Sequence, residues 1–472
     1  MNEFWQTQNL AQSFGDNIAL ISRGIKDKKL TYLQLHQEVQ QAKLIIGDDF
    51  KQLIMIKSSA TIETIVFYLA ALELKHTVWF VDAEQSLEDV ENLQQHYQVN
   101  CFIDNARVTI LNKKPIELLE DLALLNTTSG STGSKKLVKI SFNNLQANCH
   151  SICQCLPIQL SDVVITTLPL HYSFGLSVLN SHLNCGATIV LNDHAVITRE
   201  FWQQFSQFQV TSFYGVPHLF EMLLTLKLER LSLQSLRYFA VAGGKLLPDN
   251  VERVAHWCHQ HNKQLYVMYG QTEATARISC LKADKVQNKP SSIGQAITDG
   301  KLWLEDKHSE IIEESNKVGE LCYQGPNVMI GLAQSVSDLS LERQTSVLHT
   351  GDLAYRDNES DFHITGRLNR FVKIQGHRIN LDEVEDFLNN NNIKAYCLGN
   401  DKKIYCCLVQ EKNKDLNDIE LKLKTTNLLT QYLNLHSNYF SCQFITQKPL
   451  LSSGKLDYQG LALLIDLKGK LF

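Results

Sequence analysis

Short apolar runs alternate along this chain with longer runs whose apolar residues recur every three or four positions. Leu53–Lys57 and Thr77–Val81 have the length and composition of strands, and they bracket a helix-like stretch over residues 62–74. This alternation predicts an α/β fold with a mostly parallel sheet covered by helices, because neighbouring parallel strands need a crossover connection. Further strand-like runs continue the pattern at 163–168, 187–191, 210–214, 238–241 and 265–268.

The pattern changes in the last third of the chain. From about residue 319 the strand-like runs become short. Turns are expected between them at residues 351–352, 357–358 and 366–367, where Gly, Asp and Asn are concentrated. This part of the sequence predicts a small β-rich subdomain over about 319–368.

After about residue 370 the chain has the pattern of a compact mixed tail. Strand-like runs at 371–374 and 404–409 flank a helix-like run over 381–388, which predicts an independent α+β unit. We therefore expect a large N-terminal domain of βαβ subdomains over 1–368, which includes the β-rich part. A small mobile α+β C-terminal lid over 369–472 is expected to follow it.

Length, composition and charge exclude several classes of protein. A chain of 472 residues is too long for one hydrophobic core, and 44% apolar with 20% charged residues is a globular composition. The formal net charge is -5. A protein that binds nucleic acid through its overall charge needs a concentrated positive surface, so no nucleic acid is expected as a partner. The sequence has no secretory leader and no apolar run of about 18 residues. It predicts a cytoplasmic protein with no membrane span.

The twelve cysteines are expected to be reduced thiols, because none belongs to a Cys-x-x-Cys pair. Cys149, Cys153 and Cys155 lie close together on a predicted helix, and a second His/Cys group occupies residues 256–261. Helical spacing places only residues three or four apart on one face. Neither group offers the four convergent ligands of a structural zinc site, so no metal is expected at either.

Residues 126–136 are crowded with hydroxyls and glycines and end in two lysines. Glycines let backbone N–H groups point at one centre, hydroxyls add donors, and a lysine supplies the charge that attracts phosphate oxygens. A flexible linker has a similar composition. Apolar runs on both sides, at 122–125 and 137–140, instead favour a loop between two strands. The segment is not a Walker loop, because Gly133 is not followed directly by Lys and Ser or Thr.

The segment Thr-Ser-Gly-Ser-Thr-Gly-Ser-Lys-Lys over 128–136 resembles the phosphate loop of the adenylate-forming superfamily. That superfamily includes acyl- and aryl-CoA synthetases, luciferases and the adenylation domains of nonribosomal peptide synthetases. Lys135 stands where proline is usual, and Lys136 takes the place of the usual lysine. The resemblance covers nearly the whole chain. It implies that the ATP-binding residues of the loop are Thr128, Ser129, Gly130, Ser131, Thr132, Gly133 and Lys136.

The sequence Tyr-Gly-Gln-Thr-Glu over 269–273 is similar to a second motif of the same superfamily. The resemblance implies that Tyr269 stacks on adenine, that Thr272 contacts the α-phosphate as a catalytic residue, and that Glu273 holds Mg²⁺. A carboxylate is a suitable hard ligand for Mg²⁺, and an aromatic face suits a base. The resemblance adds ATP-binding roles for Gly270 and Gln271, and also for Gly243 and Gly244, although two glycines after a strand are by themselves only a turn.

His-Thr-Gly-Asp over 349–352 is similar to the ribose-binding motif of the superfamily. The resemblance implies that Asp352 accepts hydrogen bonds from both ribose hydroxyls, which a carboxylate does well. Alone, an Asp after Gly is a common turn. Arg367 is expected within reach of ribose or phosphate. Asn369 occupies the hinge position before the lid and tolerates unusual backbone angles.

The tail carries two further motifs. The segment around Gly376 resembles the hairpin that approaches the pantetheine arm of a thiol acceptor, where a glycine permits close passage. Ser-Ser-Gly-Lys-Leu-Asp over 452–457 resembles the terminal motif whose lysine is catalytic, which assigns that role to Lys455. An exposed lysine is ordinarily inert. Lys455 comes last in a series of motifs that follow the order of the superfamily, and this position favours a catalytic role. Because Lys455 and Gly376 share the tail, one lid would need two poses, one for adenylation and one for thiol attack.

The segment over 168–175 resembles the aromatic motif of acyl- and aryl-activating members. It places His171 at the pocket histidine, with a catalytic role, and Tyr172 and Ser173 in the substrate pocket. Members that activate amino acids usually carry an Asp here, so Ser173 weakens that alternative. The roles of Arg277 and Glu221 stay open.

The resemblance implies ATP-dependent activation of a carboxylic acid as acyl-AMP with release of pyrophosphate, followed by transfer to a thiol. The expected cofactors are ATP and Mg²⁺, with CoA or phosphopantetheine as co-substrate. The expected partners are a small carboxylic acid and, if the acceptor is phosphopantetheine, an acyl carrier protein. Two alternatives are amino-acid adenylation by a stand-alone ligase and a non-catalytic nucleotide-binding regulator. The acid, the thiol acceptor and the oligomeric state are left open.

Overall fold

A computed structural model describes residues 3–22, 27–127, 136–343, 345–400, 402–409, 418–451 and 454–465. The chain forms two compact units. The first unit contains residues 1–302 and 323–348, and the second contains residues 303–322 and 349–472. The predicted division at 368–369 falls inside the second unit and stays a prediction.

The helices of the described residues account for the amphipathic runs of the sequence. Several begin at residues whose side chains cap the first turn: Thr31 accepts a hydrogen bond from the backbone N–H of Gln34, and Ser141 accepts one from Asn144. The helices are α1 (Thr7–Phe14), α2 (Tyr32–Ile46), α3 (Ile62–Glu73), α4 (Leu87–His96), α5 (Phe142–Cys155), α6 (Ser173–Asn184), α7 (Arg199–Gln207), α8 (Pro217–Leu226), α9 (Pro248–Gln260), α10 (Leu381–Asn390), α11 (Asp418–Leu433) and α12 (Tyr458–Leu464).

The strands of the first part of the chain are β1 (Ile18–Ser22), β2 (Lys28–Thr31), β3 (Leu53–Lys57), β4 (Thr77–Val81), β5 (Cys101–Asp104), β6 (Arg107–Ile110), β7 (Leu122–Thr127), β8 (Leu137–Ser141), β9 (Val163–Ile165), β10 (Thr188–Leu191), β11 (Ser212–Gly215), β12 (Tyr238–Val241), β13 (Gln264–Tyr269), β14 (Ser279–Leu281) and β15 (Ser292–Ala296). They are followed by β16 (Lys301–Glu305), β17 (Gly319–Gln324), β18 (Gly331–Ala333), β19 (Val347–Arg356), β20 (Phe362–Arg367), β21 (Phe371–Ile374), β22 (His377–Asn380), β23 (Ala395–Asn400), β24 (Lys403–Val409) and β25 (Phe440–Ile445).

Two sheets build the first unit. In one, nine strands follow the order β15-β14-β13-β12-β11-β9-β10-β1-β2, and the six from β13 to β1 are parallel. In the other, the order is β18-β8-β7-β4-β3-β5-β6, with β7, β4, β3 and β5 parallel. The outer strands of both sheets pair antiparallel. The α/β class is therefore confirmed, with mixed sheets that have parallel centres.

The core of the first unit contains the strongly apolar helices. Ten of the twelve residues of α3 are buried, and eleven of the twelve residues of α6 are buried. A helix that is apolar on every side belongs in the interior, between other elements. These helices and the centres of the sheets form the main hydrophobic cluster of this unit.

The second unit contains the β-rich segment and the tail. Strand β19 pairs antiparallel with β20, β21 pairs with β22 as a hairpin, and β23, β24 and β25 form a three-stranded sheet. Helices α10 and α11 pack on this three-stranded sheet around a separate apolar cluster that includes Val372, Leu388 and Leu408. The β-rich subdomain and the α+β tail are thus confirmed as structures.

Three details of the prediction are wrong. The turn expected at residues 366–367 lies at the end of strand β20, where Gly366 pairs with Leu353 and Arg367 pairs with Asp352. The turn expected at residues 351–352 lies inside strand β19, where Gly351 has φ +70° and the pairing with β20 shifts register between Leu353 and Ala354. A glycine in a left-handed conformation lets the strand kink without ending. The strand expected at 163–168 ends at Ile165.

The cysteine prediction is confirmed, because all twelve cysteines are free thiols. Cys149, Cys153 and Cys155 lie on α5, as expected. Within the described ranges, no helix is both long enough and apolar enough to cross a bilayer. The predicted cytoplasmic location stays a prediction.

Candidate active site

Four neighbouring parallel strands of the first unit end at one edge of their sheet. They are β13, β12, β11 and β9, in that order. The segments that follow three of them carry predicted site residues: Ser173 after β9, Gly243 after β12 and Thr272 after β13. Ligands of α/β sheets bind at the carboxyl ends of the strands. The fold therefore brings three motifs to one edge although they are widely separated in sequence.

The predicted phosphate loop connects two paired strands. Thr127 at the end of β7 lies opposite Leu137 at the start of β8, which confirms a loop between strands. Thr128, Ser129, Gly130, Ser131, Thr132 and Gly133 lie outside the described residues. Lys136 is described, is half-buried and directly precedes β8.

The motif after β13 forms a tight loop. Gln271 Nε2 donates a hydrogen bond to the hydroxyl of Tyr269 at 3.1 Å, which fixes the edge of the predicted adenine platform. A Cβ at Gly270 would overlap the carbonyl oxygen of Ala276. Ala276 itself has φ +120°, a strained conformation for a residue with a Cβ. Gly270 is therefore required for this loop to close.

Thr272 contacts the predicted acid pocket. Its Oγ1 lies 3.4 Å from Oγ of Ser173. The carbonyl of Glu273 accepts a hydrogen bond from the backbone N–H of Met329 at 2.9 Å, which anchors the next residue. The Glu273 carboxylate is half-buried and has no hydrogen-bond or ion-pair partner in the described part of the chain. A partnerless carboxylate beside a phosphate ligand fits the predicted Mg²⁺ role.

Gly243 supports Tyr172 of the predicted acid pocket. Gly243 has φ +85°, and a Cβ at this position would overlap the hydroxyl of Tyr172 and lie 3.1 Å from Val216 Cγ1. Burial raises the pKa of Tyr172 to about 12, so its hydroxyl stays protonated. Gly244 lies against the ring of Pro217, which would be 3.3 Å from a Cβ added there. The glycine pair thus has a packing role as well as the one implied by resemblance.

His171 follows β9 of one sheet and is held by two residues that follow neighbouring strands of the other sheet of the first unit. Its Nδ1 lies 3.0 Å from Oγ of Ser58, which follows β3, and its Nε2 lies 3.6 Å from Oδ2 of Asp82, which follows β4. Burial lowers the pKa of His171, and the nearby Asp82 only partly offsets this effect. A neutral imidazole at pH 7 follows. Sequence reasoning missed Ser58 and Asp82, although each directly follows a buried strand.

The second unit holds the predicted ribose-binding pair. Nε of Arg367 lies 2.8 Å from Oδ1 of Asp352, and these residues are paired in the ladder of β19 and β20. Asp352 is buried, whereas 61% of the Arg367 side chain is exposed. Thr350 Oγ1 accepts a hydrogen bond from the backbone N–H of Asp352 at 3.1 Å. The structure thus brings together two residues that the sequence assigned to the nucleotide, Asp352 to the ribose and Arg367 to the ribose or a phosphate.

The predicted hinge residue lies in an anchored turn. Asn369 is exposed, and the turn closes through the hydrogen bond from Arg370 N–H to the carbonyl of Arg367 at 3.2 Å. Asp382 on α10 accepts from the backbone N–H of Arg367 and pairs with the guanidinium of Arg370. Arg370 also pairs with Glu385 at 2.7 Å. Asn369 is thus the exposed residue between two anchored ones.

The two remaining predicted residues lie in different parts of the tail. Gly376 has φ +81° at the tip of the hairpin of β21 and β22, and a Cβ added there would have no heavy atom within 4 Å. Lys455 is half-buried, and its carbonyl accepts a hydrogen bond from the N–H of Leu451 at 2.9 Å. It comes two residues before Asp457, whose carboxylate caps α12. Ser452 and Ser453 lie outside the described residues.

One cluster of side chains that could bind a metal ion was not predicted from the sequence. Ligand atoms of Glu305, Cys322 and His349 lie within 4.8 Å of one another in the second unit. Glu305 accepts a hydrogen bond from the indole N–H of Trp303 at 2.7 Å, and the Cys322 Sγ lies 3.4 Å from Nδ1 of His349. These contacts within the protein account for the cluster.

Known proteins are similar to this chain in sequence and in fold. The profile of the AMP-binding enzyme family matches residues 111–333. Oxalate–CoA ligase of Arabidopsis thaliana is 24% identical, over 81% of this chain and 82% of that protein. 2-Succinylbenzoate–CoA ligase of Enterococcus faecalis is 25% identical, over 79% of this chain and 72% of that protein.

Solved structures share the fold. o-Succinylbenzoate CoA synthetase of Bacillus subtilis, in complex with its acyl-adenylate intermediate, has a TM-score of 0.77 at 22% identity and covers 96% of this chain and 97% of that chain. ATP-bound MatB of Rhodopseudomonas palustris has a TM-score of 0.81 at 17% identity and covers 99% and 100%. Residues 111–333 thus match the AMP-binding enzyme family, and the chain as a whole shares the fold of these adenylate-forming enzymes.

Proposed function

We propose that this enzyme activates a small carboxylic acid with ATP and transfers the acyl group to a thiol. A carboxylate oxygen attacks the α-phosphorus of ATP, the bond to the bridging oxygen of the β-phosphate breaks, and pyrophosphate leaves. The product is an acyl-AMP. A thiolate then attacks the acyl carbon, and AMP leaves with the electron pair of the acyl–oxygen bond.

The observation that carries this proposal is the contact between Ser173 and Thr272. Ser173 belongs to the predicted acid pocket and Thr272 is the predicted ligand of the α-phosphate, and their hydroxyl oxygens are 3.4 Å apart. Adenylation requires the carboxylate and the α-phosphorus to meet within van der Waals distance. Residues assigned to the two reactants are in fact neighbours in the first unit.

The charges of the reaction require neutralisation, because two anions must approach each other. Lys136 and Lys455 are the lysines that we assign to the phosphates and to the reacting carboxylate. Glu273 would hold Mg²⁺, which stabilises negative charge on phosphoryl oxygens when bound. Asp352, held by Arg367, would accept hydrogen bonds from the ribose.

The neutral His171 has a positioning role in this scheme. Its two ring nitrogens are already engaged by Ser58 and Asp82, and burial lowers its pKa. It therefore orients the pocket wall as a neutral group, through its hydrogen bond with Ser58, rather than as a cation. The names of the relatives do not fix the acid, since they include an oxalate ligase, a 2-succinylbenzoate ligase and a long-chain fatty acid ligase.

The reaction is tested by product analysis with an acid panel. The enzyme is incubated with ATP, Mg²⁺ and short-chain, long-chain, aryl, dicarboxylic or amino acids, with and without CoA. We expect pyrophosphate only when one class of acid is present, and AMP together with an acyl-CoA when CoA is added. Formation of ADP and phosphate would contradict adenylation. Silence with every acid, while ATP still binds, would favour the nucleotide-binding regulator.

We further propose that the acceptor is CoA and that a carrier-protein phosphopantetheine is the alternative. The same assay distinguishes them when CoA is replaced by a phosphopantetheine-loaded carrier protein. The predicted hinge is tested by Asn369→Pro, since proline fixes φ at the exposed residue of the turn. We expect loss of at least one half-reaction, measured separately as pyrophosphate exchange and as thiol acylation. Unchanged rates of both would reject the hinge.

A further inference from the structure

The loop that follows the Tyr269–Glu273 motif fixes the backbone of Arg277. Thr275 has φ +56° and Ala276 has φ +120°, so the chain turns sharply just before this residue. The carbonyl of Arg277 accepts hydrogen bonds from Asn327 Nδ2 at 2.8 Å and from Asn148 Nδ2 at 3.0 Å. Both amides are buried. The Arg277 position is thus defined by three separate segments of the first unit.

The side chain of Arg277 is directed into the protein. The residue is 2% exposed, and its guanidinium carbon lies 3.8 Å from the centre of the Phe174 ring. Among the described residues, its buried Nε has no hydrogen-bond partner. Within the same ranges no carboxylate pairs with this guanidinium. Stacking on one ring therefore provides its main electrostatic stabilisation.

Other arginines of this chain show how it ordinarily buries a guanidinium. Arg237 pairs with Asp162 at 2.6 Å, and the Asp162 side chain is fully buried. Arg370, only 12% exposed, pairs with both Asp382 and Glu385. A buried charge is costly unless an opposite charge and hydrogen bonds compensate it. Arg277 lacks this compensation in the part of the chain that the structure describes.

The groups facing Arg277 do not supply a negative charge. They are the hydroxyls of Tyr172 and Tyr214 and the thiol of Cys280. Burial raises the pKa of both tyrosines, and the hydrogen bond with Cys155 together with burial raises the pKa of Cys280, so all three groups are uncharged at neutral pH. Burial lowers the pKa of Arg277 to about 10, which leaves the guanidinium protonated at pH 7. Among the described residues, Arg277 is therefore a cation that no anion faces.

This cation adjoins residues of the predicted acid pocket. Its stacking partner Phe174 and its neighbour Tyr172 flank Ser173 in sequence, and Ser173 contacts Thr272. We propose that Arg277 binds a second acidic group of the substrate, so that the enzyme activates a carboxylic acid that carries another carboxylate. This inference rests on the proposed function. The second carboxylate would accept a bidentate pair of hydrogen bonds from the guanidinium.

The proposal discriminates between classes of acid. A plain fatty acid would leave the guanidinium buried without an anion after binding. An amino acid would bring an ammonium group towards a fixed positive charge, which is repulsive in a low-dielectric pocket. A diacid supplies the missing anion at one end and the reacting carboxylate at the other. Arg277 thus disfavours the amino-acid alternative, as Ser173 does.

Matched substrates test the assignment. Malonate, succinate and phthalate are each compared with their monomethyl ester, which keeps one carboxylate and nearly the same shape. Pyrophosphate exchange is measured for wild type, Arg277→Met and Arg277→Lys. We expect wild-type kcat/KM to favour one diacid over its half-ester by about 100-fold, because a site built for a hydrogen-bonding group rejects an analogue that lacks it.

The variants distinguish a role of Arg277 in substrate binding from a structural role. In Arg277→Met the diacid should lose about 100-fold in kcat/KM, mainly through KM, while the half-ester should change by less than about threefold. Arg277→Lys should recover part of the loss, because it keeps the charge without the planar fork. The melting temperature of Arg277→Met without substrate should equal or exceed that of wild type, since an unpaired buried charge is removed. The diacid should raise the melting temperature of the wild type but not that of either variant.

Three results would overturn the assignment. One is equal preference for diacids and half-esters, and another is an equal loss for both in Arg277→Met, which would place the guanidinium on the reacting carboxylate. The third is a lowered melting temperature in Arg277→Met and in Arg277→Lys with unchanged substrate preference, which would make Arg277 structural. Silence of the wild type with every acid would instead reject the proposed function.

Discussion

Nε of Arg367 lies 2.8 Å from Oδ1 of Asp352, across the ladder of β19 and β20. The arginine side chain is mostly exposed and the carboxylate is buried. Arg367 is therefore an exposed cation that orients the buried carboxylate of Asp352. A carboxylate held in this way can accept hydrogen bonds from a vicinal diol without reorganisation.

Removing the charge of this carboxylate should weaken ATP binding. We expect Asp352→Asn to raise KM for ATP by about tenfold to 100-fold, because a charge-assisted acceptor is replaced by a neutral amide. The measurement is the ATP dependence of pyrophosphate exchange. Glu359→Gln, an exposed change in the turn between the same two strands, serves as the control and should leave KM unaltered. An unchanged KM in Asp352→Asn would remove Asp352 from the nucleotide site.

Gly243 should be more sensitive to a methyl group than a glycine with a similar φ. Gly47 has φ +79°, and a Cβ added there would have no heavy atom within 4 Å, so Gly47→Ala should cost only about 1 kcal/mol of backbone strain. In Gly243→Ala the same backbone strain occurs, and the added methyl group must also displace Tyr172. This displacement lowers the free energy of unfolding by about 1–3 kcal/mol more. Urea unfolding of the two variants checks the difference. Equal stabilities would mean that Tyr172 does not pack on Gly243.

Acid should destabilise the first unit through a buried histidine. His182 is fully buried, its Nδ1–H donates to the carbonyl of Val178 at 2.8 Å, and burial lowers its pKa to about 4. Between the ordinary pKa near 6.5 and pH 4, the unfolded state binds a proton that the folded state does not. Stability is therefore fully present above about pH 6.5 and is lost as pH falls, by about 3 kcal/mol in total.

The histidine is tested by urea unfolding at about pH 7.5, 5.5 and 4.5. Wild type should lose stability across this range, and His182→Gln should lose about 2–3 kcal/mol less. His171 contributes with the same sign, since its pKa is also lowered, so part of the slope should persist in the variant. Parallel profiles for wild type and His182→Gln would contradict the neutral buried state of His182.

The sequence predicts the elements well where periodicity is strong. The bounds of β3 and β4 are as predicted, because each is a short, largely apolar run between polar residues. The turn at Gly351 was wrong, since glycine is equally compatible with a turn and with a kinked strand, and only the pairing partner decides.

The site could be predicted only as far as its motifs extend. Thr272, Glu273 and Asp352 could be assigned because each belongs to a contiguous pattern. Ser58 and Asp82 were not, because they contact His171 from positions about 90 to 110 residues away. The significance of Arg277 depends on the absence of a carboxylate around it in the described chain, a property of the packed structure that no local sequence pattern contains.

The most direct test of adenylation is acid-dependent exchange of labelled pyrophosphate into ATP by wild type, Lys455→Ala and Lys402→Ala. Lys402 is an exposed lysine of the same unit and serves as the matched control. We expect Lys402→Ala to match wild type. We expect Lys455→Ala to lose at least about 100-fold in exchange rate, because the charge that joins the carboxylate and the α-phosphate is removed. Exchange at the wild-type rate in Lys455→Ala would contradict the proposed chemistry.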